Sequence, residues 1–449
     1  MKSRNLIPVL LFFLFFSAGM VEGASTIEVK VDEYIETYLS GNRFSGSILI
    51  ARGDEIIFSK GYGYANRELG VQNRPDMKYR LGSVTKQFTT MAVMQLYERE
   101  MLSTGNPLSK YLPDYPRGDE ITIHHLMSHT SGIPNFTSFP DYVETMSKHA
   151  TLEDLISRFK GEPLEFEPGS QYQYSNSGYI LLGYIIEQVA GQPYEDFLRE
   201  NIFDKIGMVN TGYDNNKRII PNRASGYQFD GSIVTNASYI DMSIPHAAGA
   251  LYSTVEDLYR WDRALYTDVL LSEELKMKMF TPVHNNYAYG WAVSPVGERK
   301  ATHHGGGING FQTNIVRFTE DDVCIIILSN ITPTPMNEIT NTLAAIVFDE
   351  PYEIPKERVA IELPESILER YVGQYAIAPE FILTVTREGN RIFTQATGQQ
   401  RVEIYPASET EFFLRVVEAE IHFTVDDDGT VSGLILHQGG RKMPAERIE

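Results

Sequence analysis

The chain has 449 residues, 39 of them Lys or Arg against 59 Asp or Glu, for a formal net charge of −20. So acidic a balance excludes nucleic acid and anionic membrane surfaces as electrostatic partners. With 42% hydrophobic residues, 35 Gly and 22 Pro the composition is globular, and the length predicts more than one domain.

Residues 1–24 read as a signal peptide. Lys2 and Arg4 form a basic start, Leu6–Phe16 is apolar but too short to span a bilayer comfortably, and small residues follow up to Val21-Glu22-Gly23. The expected location is secreted or periplasmic, with no stable membrane span after cleavage. The single cysteine, Cys324, lies in the apolar run "DDVCIIILSN" and predicts an inert core thiol rather than a nucleophile. Two strands are expected at Ser45–Arg52 and Glu55–Ala65, joined tightly at Gly53-Asp54.

A helix begins near Val84, with Ser83 at its expected N-cap. Helical texture then dominates to about Thr281 and includes amphipathic stretches at Thr151–Lys160, Gly178–Val189 and Thr254–Tyr266. Strands return at Tyr289–Ser294, Phe311–Phe318 and Val323–Asn330, followed by a helical "MNEITNTLAAIVFDE". One sheet is therefore expected from the two ends of this region, with a helical subdomain inserted between them. The proline-containing stretch around 353–364 reads as a linker. Beyond it, near-alternating segments from "FILTVTRE" to "TVSGLILHQ" predict a small antiparallel barrel. The expected division is a larger domain over 25–352, a linker over 353–364 and a barrel domain over 365–449. "DDDG" at Asp426–Gly429 lacks the ligand spacing of a calcium loop and reads as a hairpin turn.

The chemistry centres on an oddity. Lys86 stands in the first turn of a helix, where the dipole disfavours a cation by roughly 0.3–1 kcal/mol. Ser83 and Lys86 are three apart, so their side chains share a face. A serine hydroxyl needs a base, and a lysine can be that base once burial and the positive helix end lower its pKa. The Ser83 backbone N–H is then a donor for an oxyanion. Ser-x-x-Lys recurs at Ser157–Lys160, where the lysine closes a helix before Gly161; that copy reads as structural. Tyr174-Ser175-Asn176 precedes a helix and supplies a phenol to relay a proton and an amide to bind substrate. "THHGGGINGFQTNIVRF" offers His304 facing a cleft, Gly306 for close backbone approach, and the Gly307 N–H as second oxyanion donor. Tyr-x-Asn at Tyr64–Asn66 and Tyr213–Asn215, and His-x-Gly at His437–Gly439, lack this context. His125 and His129 are four apart but have no zinc-protease carboxylate between them; no metal and no cofactor are expected.

Ser83/Lys86, Tyr174/Asn176 and His304/Gly306, in that order, resemble the motifs of the penicillin-recognising serine hydrolases, which include serine β-lactamases and D-Ala-D-Ala carboxypeptidases. The closer likeness is to the branch with Tyr-x-Asn and His-x-Gly, which holds D-aminopeptidases, carboxypeptidases, class C-like β-lactamase homologues and esterases. "LMSHTSGIP" (Leu126–Pro134), "NIFDKIGMVNT" (Asn201–Thr211) and "AAGALYSTVEDLYRW" (Ala247–Trp261) also look like that branch. The likeness covers about Val29 to Glu350, and the tail resembles the lipocalin-like barrel of some members. It implies an α/β fold, a β-lactamase-like antiparallel sheet flanked by helices, and an acyl-enzyme on Ser83. In that scheme Lys86 and Tyr174 move protons, and which of them takes the first is left open. The implied substrate is a small molecule or peptide, D-residue peptides first, and homo-oligomers are compatible with it. Many relatives carry Lys where this chain has His304. A carboxylate contact there would depend on the imidazole being charged.

Overall fold

The computed structural model describes residues 26–355, 360–417, 419–426, 428–438 and 441–448. The signal-peptide reading of residues 1–24 and parts of the linker and of the "DDDG" turn lie outside them. No helix among the described residues is long and apolar enough to cross a membrane.

A six-stranded antiparallel sheet forms the frame. Its strands are β1 (Gly46–Arg52), β2 (Glu55–Tyr62), β3 (Ala292–Val296), β4 (Arg299–Ile308), β5 (Phe311–Phe318) and β6 (Val323–Ser329), in the order β3-β4-β5-β6-β1-β2. The sheet is thus assembled from both ends of the catalytic region, as expected. Central strands buried on both faces read as continuous apolar runs, which is why β6 is "VCIIILS". Its even and odd residues part company. Ile325 and Ile327 pack with Ile48 and Ile50 of β1 under helices α1 (Thr26–Ser40) and α6 (Met336–Val347). Cys324, Ile326 and Leu328 join Leu49 and Ala51 in the larger core on the other face. Cys324 is fully buried there, and burial raises its thiol pKa well above the usual range.

That larger core surrounds helix α2 (Thr85–Glu98), in which every residue from Thr85 to Leu96 is buried. Around it lie α3 (Leu152–Lys160), α4 (Asn176–Ala190) and α5 (Val255–Ala264). Thr151 and Thr254 cap α3 and α5 by accepting from the N–H of Asp154 and Asp257. Phe88 of α2 meets Trp261 of α5 at 4.5 Å between ring centroids.

The C-terminal unit is a closed barrel of eight strands: β7 (Gly373–Ala378), β8 (Phe381–Glu388), β9 (Arg391–Ala396), β10 (Val402–Pro406), β11 (Glu411–Leu414), β12 (Ala419–Val425), β13 (Val431–Gln438) and β14 (Arg441–Arg447). The sequence reading missed the two that close the ring. β14, "RKMPAER", is mostly polar and contains Pro444, which lacks a ladder donor and demotes the run as a strand. It is held by β13 and by a short pairing of Tyr375 and Ala376 with Arg447 and Glu446. The barrel touches the catalytic unit where the Tyr405 hydroxyl donates to the Gly231 carbonyl at 3.1 Å.

Candidate active site

Ser83 sits in a 3-10 turn, Gly82–Val84, that runs straight into α2. Val84, not Ser83, occupies the cap position of α2, and no side chain caps that end. The expected N-cap role of Ser83 is therefore corrected: its hydroxyl lies 3.1 Å from Lys86 Nζ. The turn begins with Gly82 at φ +54°, a left-handed conformation that favours glycine. It is pinned from two sides. Leu81 donates its N–H to the Leu251 carbonyl at 2.8 Å, and the Leu81 carbonyl accepts from the Thr313 hydroxyl at 2.7 Å.

Strand β4 presses directly on this turn. A Cβ on Gly306 would stand 1.9 Å from the Leu81 carbonyl oxygen, and one on Gly82 would stand 2.8 Å from the Gly307 nitrogen. Gly306 is thus a packing requirement between strand and turn, a correction to its reading as a point of approach to substrate. Gly307 differs: a Cβ there would meet nothing within 4 Å, and the residue lines the cleft beside Ser83.

Lys86 is completely buried. Its Nζ makes three polar contacts: Ser83 Oγ at 3.1 Å, Asn176 Oδ1 at 2.8 Å and the Ala248 carbonyl at 2.8 Å. Burial lowers its pKa well below the ordinary lysine value. The contact set suits a neutral amine. Two N–H groups satisfy the amide and peptide oxygens, which can only accept, and the lone pair then faces the Ser83 hydroxyl. The rings of Tyr174 and Tyr179 stand 4.9 and 5.2 Å from Nζ.

Tyr174 is in the loop before α4, and Asn176 is the first residue of that helix. Burial raises the Tyr174 phenol pKa, while the neighbouring Ser83 hydroxyl, as a hydrogen-bond partner, pulls it back. Asn176 is locked: its N–H donates to Asn135 Oδ1 at 3.0 Å and its Nδ2 to Thr137 Oγ1 at 3.1 Å. With Oδ1 on Lys86, the Asn176 amide is engaged inside the protein, and its amide binding of substrate stays an expectation.

His304 lies next to this group but is buried, 7% exposed, and is not among the residues lining the cleft. Its Nδ1 is 2.6 Å from the Gly305 carbonyl, which can only accept, so Nδ1 carries the proton. Nε2 then accepts from the Tyr287 hydroxyl at 2.9 Å. Burial lowers its pKa to about 3. The cationic role entertained from sequence is corrected: at neutral pH this imidazole is uncharged.

Four groups that matter here escaped the sequence reading as site residues: the Ala248 carbonyl, Asn135, Thr137 and His129. His129 has a left-handed backbone, φ 57°. Its carbonyl accepts from Gln173 N–H at 2.9 Å and its Nδ1 from Ser175 N–H at 3.1 Å, so it brackets Tyr174 on both sides. Its ring lies 4.2 Å from that of Tyr174. His125 is a helix cap, its Nδ1 accepting from Thr122 N–H at 3.2 Å. The sequence reading weighs His129 only as half of a metal pair with His125, and the segment holding Ala248 draws notice only through its family likeness, because a backbone carbonyl has no residue-type signature.

The second Ser-x-x-Lys is built otherwise. Ser157 Oγ donates to the Asp154 carbonyl at 2.7 Å, and Lys160 pairs with Asp114.

A family model described as Beta-lactamase matches residues 31–348, and one described as a domain of unknown function (DUF3471) matches residues 357–447. Penicillin-binding protein 4* of Bacillus subtilis (strain 168) is 32% identical over 443 residues, covering 92% of this chain and 97% of its own. The octameric penicillin-binding protein homologue from Pyrococcus abyssi matches with a TM-score of 0.66 at 24% identity, over 93% of this chain and 99% of its own. D-amino acid amidase from Ochrobactrum anthropi SV3, complexed with L-phenylalanine, matches with a TM-score of 0.65 at 22% identity, over 72% and 99%. At these identities the two solved structures speak to the fold.

Proposed function

This chain belongs to the beta-lactamase family of serine hydrolases, and on that footing we propose that it cleaves amide or ester bonds of small peptides through a Ser83 acyl-enzyme. The observation that carries the reading is the 3.1 Å approach of Ser83 Oγ to a fully buried Lys86 whose other contacts are both acceptors.

The steps follow from those atoms. Lys86 Nζ takes the Ser83 proton as Oγ attacks the acyl carbon, and the Ser83 and Gly307 N–H groups receive the oxyanion. The C–N or C–O bond then breaks, and the leaving amine or alcohol takes the proton back, with the Tyr174 phenol as relay beside Ser83. Water attacks the ester by the reverse route and releases the acid. Amides of D-amino acids are the first substrates to test, given the amidase among the structural relatives. The substrate-binding parts assigned to His304 and Gly306 narrow to positioning, while Asn176 keeps its place on the cleft wall. Asn176 orients Lys86, His304 packs behind Tyr174, and Gly306 seats the turn. We keep the division into a catalytic domain (25–352), linker (353–364) and barrel (365–449), with export through the 1–24 signal. Assembly of several copies is supported by the octameric relative.

The test is covalent. A fluorophosphonate should label the mature protein, labelling should vanish in Ser83→Ala, and it should persist in Ser157→Ala. A label retained in Ser83→Ala removes the nucleophile from this reading.

A further inference from the structure

We propose that this cleft selects substrates whose leaving group is uncharged beside the scissile bond, and that it discriminates against those bearing a carboxylate there. The proposal rests on the hydrolase reading above and adds its substrate class: neutral amides and esters, rather than peptides with a free C-terminal carboxylate at the cleaved residue.

The cleft at Ser83 encloses about 290 Å³. That is at the low end for ligand pockets, roughly 300–1,000 Å³. Its walls include Phe136, Tyr142, Ile240 and Ile308, with Thr137 and Asn309 as polar points. Among the described residues lining it, none carries a charge. Two basic groups beside the chemistry, Lys86 and His304, are withdrawn, and a third, His129, is buried against the Tyr174 ring. Lys86 lies beneath Ser83 with its N–H groups directed to Asn176 and Ala248. His304 has both ring nitrogens satisfied inside the protein, on Gly305 and Tyr287. Arg80, three residues before Ser83, is tied to the fully buried Asp214 at 2.7 Å, and Arg223 shares that carboxylate. A carboxylate entering here would lose water and gain no ion pair, and an unpaired charge is the least tolerated group in a desolvated site. The chain's net charge of −20 adds a long-range field that repels anions before they dock. The apolar walls favour an aromatic or aliphatic acyl side chain.

The test uses two aryl phosphonates that phosphonylate serine hydrolases. They differ only in the leaving phenol, which carries a carboxylate in one and a carboxamide in the other. In each, the Ser83 Oγ–P bond forms as the P–O(aryl) bond breaks, and the phenol departs. Labelling rates of the full chain are divided by each reagent's rate with hydroxide, which removes their intrinsic difference. We expect the carboxamide reagent to label at least about tenfold faster, in keeping with the usual selectivity of a pocket for a matched neutral group. Raising the salt should narrow only the field-borne part of that ratio. Asn309→Lys, which brings a cation to the cleft wall, should shift the ratio toward the carboxylate reagent. Equal rates, or faster labelling by the carboxylate reagent, overturn the selectivity while leaving Ser83 a nucleophile. No labelling of Ser83 by either reagent overturns the hydrolase reading and the selectivity with it.

Discussion

The same four-residue pattern occurs twice in this chain, and the two copies share almost nothing. At Ser83–Lys86 the amine is fully buried and meets a hydroxyl, a side-chain amide and a peptide carbonyl. At Ser157–Lys160 the lysine side chain is 26% exposed and paired with the carboxylate of Asp114, while the serine is bound to its own helix. Helical spacing brings the two side chains to one face in either case. What separates them is enclosure. A lysine in water beside a carboxylate stays an ammonium and has no lone pair to offer, whereas one stripped of water and given only neutral acceptors is pushed toward the amine. The pattern alone is thus not sufficient for the proposed proton transfer, and the surroundings decide whether the lysine can act as a base.

The strongest way to break the contrast is to remove the amine from the first copy. Lys86→Met preserves length and apolar bulk, and kcat/KM should fall by about 10²–10⁴, the usual range for losing a proton-transfer group. The wild-type profile should also show kcat/KM rising with pH as Lys86 loses its proton, with that limb well below the ordinary lysine value. A limb that appears only near pH 10.5 contradicts a lowered lysine, and Lys160→Met should leave the profile unmoved.

Next comes the wall that makes the enclosure. Gly306→Ala places a Cβ 1.9 Å from the Leu81 carbonyl oxygen, so strand β4 must retreat from the Ser83 turn. The expected loss of stability is about 3 kcal/mol, at the upper end for overpacking, and it should appear in the urea midpoint together with lost activity. Gly307→Ala, with open space at its Cβ, should be far milder in stability. Equal destabilisation by the two would contradict the stated packing.

A third measurement asks whether the neighbourhood of Lys86 is as dry as its contacts imply. His304 has a folded pKa of about 3 against an ordinary 6.5. Between these values the unfolded chain holds a proton that the folded one does not, so acid favours unfolding. Stability should decline as pH falls through 6.5 and continue to decline toward about 3. The His304 share is about 2 kcal/mol between pH 6.5 and about 4.5, at 1.36 kcal/mol for each pH unit with some allowance for relaxation. His304→Gln should flatten that slope in thermal melts. His129, whose pKa burial also lowers, keeps part of it. A slope identical in wild type and variant argues that water reaches the imidazole.

Much of this is legible in the sequence itself. The β1–β2 hairpin, β5, β6, α3 and α5 follow from apolar periodicity and turn residues, and Lys86 drew attention because its place opposes the helix dipole. The failures have physical causes. α1 buries Val31, Tyr34, Ile35 and Tyr38 at helical spacing, but it follows the apolar run Leu6–Phe16, and the sequence reading misses the Ser25-x-x-Glu28 capping pattern at its start. β14 is held by its neighbours' ladders rather than by its own side chains. The roles of Gly306 and Ala248 depend on backbone atoms of distant segments, Leu81 and Lys86's pocket, which residue identity does not encode. His304 was the hardest to read, because charge follows burial and burial is a property of the fold.

The smallest effect sharpens the comparison from the other side. Ser157→Ala removes a hydroxyl that donates to the carbonyl one turn back on an exposed face, an interaction that competes with the helix rather than supporting it. Stability should change by less than about 0.5 kcal/mol, and kcat/KM should stay within error of wild type. Lys160→Ala should lose a little more, since the Asp114 pair is partly exposed and worth at most about 1 kcal/mol. That loss should shrink as salt screens the charges. If instead either change altered turnover, the second copy would have to communicate with Ser83 through α3. The assumption that enclosure alone separates the two copies would then fail at its quietest position.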